Sequence, residues 1–127
     1  MIILSPLNKA LSSLQAALAQ PKNEFVRDAV IQRFEYTYEL AWKMLKRHLG
    51  ESEGAAAIDP LSRKDLFRMG GERGIIENVE AWLAYHRARN ETSHTYDESK
   101  AEQVYEVARQ FAGDAGKLLR ELERRNA

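Results

Sequence analysis

A chain of 127 residues and 14.5 kDa has room for one ordinary hydrophobic core, which excludes a catalytic domain paired with a separate substrate domain and predicts one domain over 1–127. Its composition, 44% hydrophobic and 30% charged with three prolines and seven glycines, excludes the disordered, collagenous and membrane classes. Nineteen basic residues balance nineteen acidic ones, so no broad cationic field draws the chain to nucleic acid, and any phosphate recognition has to come from a local pocket. The absence of cysteine rules out disulfides, a thiol nucleophile and thiolate metal sites, and predicts a cytoplasmic home. The first twenty residues meet Lys9 early and repeat with helical spacing, unlike a signal peptide, and nowhere do eighteen apolar residues run together to span a membrane.

Ser5 followed by Pro6 reads as an N-cap with proline in the first turn. Leu7, Leu11, Leu14 and Leu18 then recur every three or four residues up to Pro21, predicting a first helix. Asn23 caps a second, in which Val26, Val30, Phe34, Ala41, Leu45 and Leu49 form one apolar face widened by Tyr38 and Trp42, and Gly50 is expected to close it. The stretch 51–61 loses this periodicity and is a connection in which Ala55 to Ala57 can form a turn. Ser62 with Asp65 makes a capping box for a short helix through Leu66 and Phe67 that ends at Gly70 and Gly71. From Gly74, the positions Ile75, Ile76, Val79, Trp82 and Leu83 predict a long helix reaching Asn90 to Thr92. Thr95 with Glu98 forms another capping box, ahead of a last helix with Ala101, Val104, Ala108, Phe111, Ala115, Leu118 and Leu122 on one face. No run alternates with a period of two. The expectation is an all-α fold, an up-and-down four-helix bundle with a short extra helix. Apolar residues off the main stripes, Phe25, Ile31, Tyr36, Met44, Tyr105, Val107 and Leu119, point to a homodimer that uses the surplus.

Few chemical motifs are present. There is no phosphate-binding loop ending in Lys-Ser/Thr, no dinucleotide fingerprint, no His-Glu-x-x-His and no calcium loop. Gly70 to Gly74 reads as a helix junction. His48 sits near a helix end, His86 follows Trp82 by one turn and reads as a packed histidine, and neither shares a metal-ligand spacing with His94. No metal and no cofactor are expected. The segment Arg89-Asn90-Glu91-Thr92-Ser93-His94-Thr95-Tyr96 is different. On an unbroken helix Arg89 and His94 would stand about 140° apart around the axis, but a helix junction between them lets both face one pocket. An imidazole beside a guanidinium suits phosphodiester cleavage, the first moving the proton of a ribose 2′-hydroxyl or of the leaving oxygen and the second steadying the phosphoryl oxygens. The same pair can bind a nucleotide phosphate without cleaving it, and the polar residues there can equally be local caps.

The Arg-Asn-x-x-x-His-x-Tyr string from Arg89 to Tyr96 resembles the signature of the HEPN superfamily, and His94-Thr95-Tyr96 resembles its HepT branch, whose members are encoded beside a small nucleotidyltransferase. Residues 28–49 and 74–111 are similar to the second, third and fourth helices of the nucleotidyltransferase substrate-binding proteins, and the likeness covers essentially the whole chain. The resemblance implies a dimerising helical bundle with two Arg-His pairs near the subunit interface forming a cleft for RNA. It implies a toxin–antitoxin module in which the HepT-like protein is a metal-independent endoribonuclease, silenced when its partner nucleotidyltransferase adenylylates the tyrosine. Carried over by position, Arg89 becomes the phosphate-stabilising residue, His94 the acid/base, Asn90 their polar companion in RNA or nucleotide binding, and Tyr96 the modification site. The alternative is a non-catalytic subunit that presents a nucleotide or other substrate to the nucleotidyltransferase.

Overall fold

The computed structural model describes residues 1–126, and its order is α1 (Ser5–Leu18), α2 (Glu24–Glu53), α3 (Ala55–Ile58), α4 (Arg63–Glu72), α5 (Val79–Glu91), a 3-10 turn (Thr92–His94) and α6 (Glu98–Asn126). No strand occurs among the described residues, and no helix is long and apolar enough to cross a membrane. Four long helices, α1, α2, α5 and α6, alternate in direction. The start of α1 lies at the far ends of α2 and α6, where the Met1 ammonium meets Glu51 at 2.8 Å and the Ile2 N–H donates to Asn126 Oδ1 at 3.1 Å. The starts of α2 and α6 lie together, joined by the buried Arg27, whose guanidinium donates to Glu98 at 2.6 Å and to Glu102 at 3.3 Å. Burial alone would make the charged guanidinium costly, and these carboxylates, with Asp28, outweigh it and hold its pKa above the ordinary arginine value.

Sequence explains most of the boundaries. Leu7, Leu11 and Leu14 are buried along α1 at spacings that place them on one face, and Asn23 caps α2 by accepting the Val26 N–H at 2.8 Å. The Ser62 and Asp65 capping box of α4 closes in both directions. Several boundaries move. Helix α2 continues through Gly50 and stops at Gly54, whose φ of 92° is the left-handed conformation a side chain resists. Helix α5 starts at Val79, because Asn78 accepts the Ala81 N–H at 3.0 Å, so Ile75 and Ile76 are buried from a non-helical link. Leu4, not Ser5, is the capping position of α1.

The core is built around aromatic rings. Phe111 of α6 meets Phe34 of α2 edge-on at 5.1 Å between centroids, Tyr85 of α5 at 5.2 Å and Trp82 at 5.7 Å, while Phe67 of α4 packs on Trp82 at 5.5 Å. Such offset and edge contacts suit the ring quadrupoles, and they join α2, α4, α5 and α6 in one cluster. Of the apolar surplus noted in the sequence, Ile31, Met44, Tyr105 and Leu119 are consumed by this core and Val107 packs partly against it, leaving Phe25 81% exposed and Tyr36 at the surface.

Close packing separates two glycines that look alike in sequence. Gly50 lies inside α2 with nothing within 4 Å of a Cβ built on it, whereas a Cβ on Gly71 would overlap the Val79 Cγ2. Gly50→Ala is expected to raise stability by about 0.5–1 kcal/mol through helix propensity and Gly71→Ala to lower it by about 1–3 kcal/mol through overpacking. Urea unfolding midpoints of the two variants check the opposite signs.

Candidate functional site

Helix α5 ends where its carbonyls find local partners. The Thr92 hydroxyl donates back to the Arg89 carbonyl at 2.8 Å, and the Thr95 hydroxyl to the Thr92 carbonyl at 3.1 Å, so side chains satisfy groups that the helix end leaves open. The backbone tightens into the 3-10 turn Thr92–His94, and the Asp97 N–H donates to the His94 carbonyl at 3.1 Å. Asp97, one residue before α6, then accepts the Lys100 N–H at 3.2 Å. The cap predicted at Thr95 is therefore supplied by Asp97, since the Thr95 hydroxyl is already spent on the turn behind it. The α-helix breaks between Arg89 and His94, as a shared pocket requires.

Arg89, in the last turn of α5, reaches across to α2. Its Nε donates to Glu39 Oε1 at 3.1 Å, its Nη2 stands 3.4 Å from Glu35 Oε1, and its Nη1 donates to the Thr92 hydroxyl at 3.3 Å. Glu39 is shared. Arg63, the first residue of α4, places Nη1 2.9 Å from Oε1 and Nη2 3.2 Å from Oε2, a two-pronged pairing, and the Trp42 Nε1–H donates to Oε2 at 2.9 Å. The Arg63 guanidinium also lies 4.3 Å from the Trp42 ring centroid, in cation–π range. Burial opposes the charge on Glu39, yet the Trp42 hydrogen bond and the two arginines overcome it and hold its pKa below the ordinary carboxylate value.

Behind this carboxylate, the Tyr38 hydroxyl and His86 Nδ1 form a hydrogen bond at 2.9 Å. Burial pushes the Tyr38 phenol up to about 12, against the pull of Arg63. Burial first, and then the positive charges of Arg63 and Lys64, lower the His86 pKa. His86 is thus the packed histidine its spacing suggested, with a defined partner.

The four sequence-predicted site residues are distributed unevenly. Arg89 is half-buried and clamped. His94 and Tyr96 are exposed on the turn, with their rings edge-on at 6.4 Å, and Tyr96 is 86% exposed. Among the described residues the His94 ring takes part in no hydrogen bond, with Arg89 or any other group. Asn90 lines a shallow groove between α5 and α6 together with Ala84, Val104 and Val107, while Arg89 reaches to α2. The sequence reading missed Glu35, Glu39 and Arg63, while Thr92 is the local cap that the polar junction allowed. The one available signal was the Glu35 and Glu39 pair, one turn apart beside Trp42 on the flank of an otherwise apolar stripe. Among the described residues no group of three or more His, Asp and Glu side chains could hold a metal ion.

An up-and-down bundle with the Arg-x4-His string across the break between α5 and α6 is the arrangement that the sequence's resemblance to the HEPN superfamily implies. The chain belongs to the family described as nucleotidyltransferase substrate binding protein like, whose sequence model matches residues 3–124. It is 36% identical to a protein of Haemophilus influenzae named "Probable ribonuclease HepT", over 97% of this chain and 93% of that one. A solved Haemophilus influenzae structure, described as revealing the fold of a substrate binding domain of a nucleotidyltransferase, superposes with a TM-score of 0.88 at 33% identity, covering 95% of this chain and 99% of that one. A crystal structure from Thermus thermophilus superposes with a TM-score of 0.80 at 34% identity, covering 91% and 98%.

The charge cluster makes a pH prediction. A histidine whose folded pKa lies below its unfolded value favours the neutral ring in the fold. Its contribution to stability is therefore complete above 6.5 and is lost as pH falls through the lowered folded value. Proton NMR titration is expected to place the His86 midpoint below 6.5 and to move it upward in Arg63→Gln, where a neighbouring positive charge is gone. A midpoint that ignores Arg63 contradicts the assignment.

Proposed function

We propose that this protein is a HepT-like, metal-independent endoribonuclease of a toxin–antitoxin module, acting as a homodimer and silenced when a partner nucleotidyltransferase adenylylates Tyr96. The observation that carries this reading is the division of labour at the helix break: Arg89 is held rigidly against α2, while His94 and Tyr96 stand exposed on the turn that follows. A cleavage site needs a fixed cation to meet the phosphoryl charge and an accessible imidazole to move protons. The name carried by the Haemophilus influenzae relative supports the same chemistry.

In this mechanism His94 takes the proton of a ribose 2′-hydroxyl as the 2′-oxygen attacks phosphorus. The bond from phosphorus to the 5′-oxygen breaks, and the leaving oxygen gains a proton either from the imidazole of another copy of the chain or from solvent. Arg89 donates to the non-bridging oxygens as their charge grows. The products are a cyclic phosphate end and a 5′-hydroxyl end. In silencing, the Tyr96 oxygen attacks the α-phosphorus of ATP, its phenolic proton passes to solvent, pyrophosphate leaves, and the adenylate stays on the phenolic oxygen. The bulk and negative charge then stand beside His94, where they repel and obstruct RNA.

Purified protein in EDTA is expected to cleave single-stranded RNA. His94→Ala should slow cleavage by about 10²–10⁴-fold and Arg89→Ala by about 10²–10³-fold, with helicity and solution mass unchanged. Equal cleavage by wild type and both variants rejects the assignment. Binding of nucleotide or RNA without cleavage by the wild type instead identifies a substrate-presenting subunit, the role named for the solved Haemophilus influenzae domain. Incubation with the partner nucleotidyltransferase and ATP is expected to add adenylate at Tyr96, read by peptide mass spectrometry. Adenylate on another residue, or none, contradicts the proposed switch.

A further inference from the structure

The way Arg89 is gripped determines which of its protons remain for a ligand. A guanidinium carries five N–H groups. The Nε–H of Arg89 donates to Glu39 and one Nη1–H to Thr92, while Nη2 stands 3.4 Å from the Glu35 carboxylate as an ion pair. The other Nη1–H and the Nη2–H groups make no hydrogen bond among the described residues, and neighbouring guanidinium protons of this kind pair with two oxygens of a phosphoryl group. A long flexible side chain near a surface does not hold such an orientation unaided, because the rotamer entropy lost is large.

The two glutamates do not share the load equally. Glu35 is 43% exposed and makes the longer contact, whereas Glu39 is 22% exposed and is itself immobilised by Trp42 and by both prongs of Arg63. Arg63 is in turn held over the Trp42 ring. Two carboxylates and two guanidiniums sum to zero, so an incoming phosphate meets no net negative field from the grip on Arg89. We propose that Glu39 is a positioning residue, which fixes the Nε edge of Arg89 so that its Nη1 and Nη2 protons stay turned toward the phosphoryl group of RNA. Its consequence for catalysis rests on the ribonuclease reading above, while its geometry does not.

Glu39→Gln keeps the shape but replaces one acceptor oxygen with an amide that confronts the guanidiniums. In EDTA it is expected to lower kcat about 100-fold, the scale of a misplaced catalytic group, with little change in KM, and Glu39→Asp is expected to recover part of the loss. Combined with Arg89→Ala, Glu39→Gln should cost nothing further, because both changes remove the same interaction. A wild-type kcat in Glu39→Gln overturns the proposal, and so does an additive loss in the double variant. A second readout is independent of activity. The Arg89 Nε–H resonance in ¹⁵N NMR is expected to be protected from exchange in the wild type and in Glu39→Asp, and to lose protection in Glu39→Gln. Unchanged protection overturns the proposal even if RNA cleavage falls. A wild type that leaves RNA intact rejects the ribonuclease reading, and the NMR comparison still decides the role of Glu39.

Discussion

A carboxylate on the flank of a packed helix is unfavourable unless donors surround it, and Glu39 is surrounded by groups from three helices. Its two oxygens receive Trp42 from its own helix, Arg63 from the start of α4 and Arg89 from the end of α5. The ends of α4 and α5 are thereby fixed at one point on α2, above the aromatic cluster through which Tyr38, Phe67, Trp82 and Phe111 join the same helices. Core and site are continuous: Tyr38 is part of the ring cluster and also hydrogen-bonds His86 beneath the charged group.

That anchorage gives the helix break its value. With Arg89 tied down and the backbone turned through Thr92–His94, the next residues are free of the packing that orders α5 and α6, and His94 and Tyr96 stand in solvent. The Arg27 cluster holds the start of α6 against α2 just beyond the turn. The junction is therefore short and fixed at both ends. Zero net charge fits the proposed role, in which recognition rests on one oriented guanidinium and its neighbours and not on a long-range field.

The helices were legible because each carries a long apolar period, and the Ser62 and Asn23 caps because they act within one turn. Boundaries failed where a second signal further along decided them. Gly50 reads as a stop, yet the helix runs on to Gly54, whose positive φ ends it, and Ile75 and Ile76 read as helical although they are buried from an irregular link ahead of the Asn78 cap. Arg89, His94 and Tyr96 stood out because they form a local string, and the family resemblance assigned them roles. Glu39 lies 24 residues from Arg63 and 50 from Arg89, and nothing local to any of them reveals that the three meet. Asn90 illustrates the reverse: adjacent to Arg89 in sequence, it is turned by helical geometry toward the α5 and α6 groove.

The claim that RNA phosphate seats at this junction is tested most directly by NMR titration with a short 2′-O-methyl RNA, which can bind but cannot be cleaved by internal attack. The largest shifts are expected at the Arg89 side chain, the His94 ring and the Tyr96 amide, weakening as salt is raised. Shifts concentrated instead at the opposite end of α5, around Glu77, Asp114 and Lys117, with the junction unmoved, would contradict it.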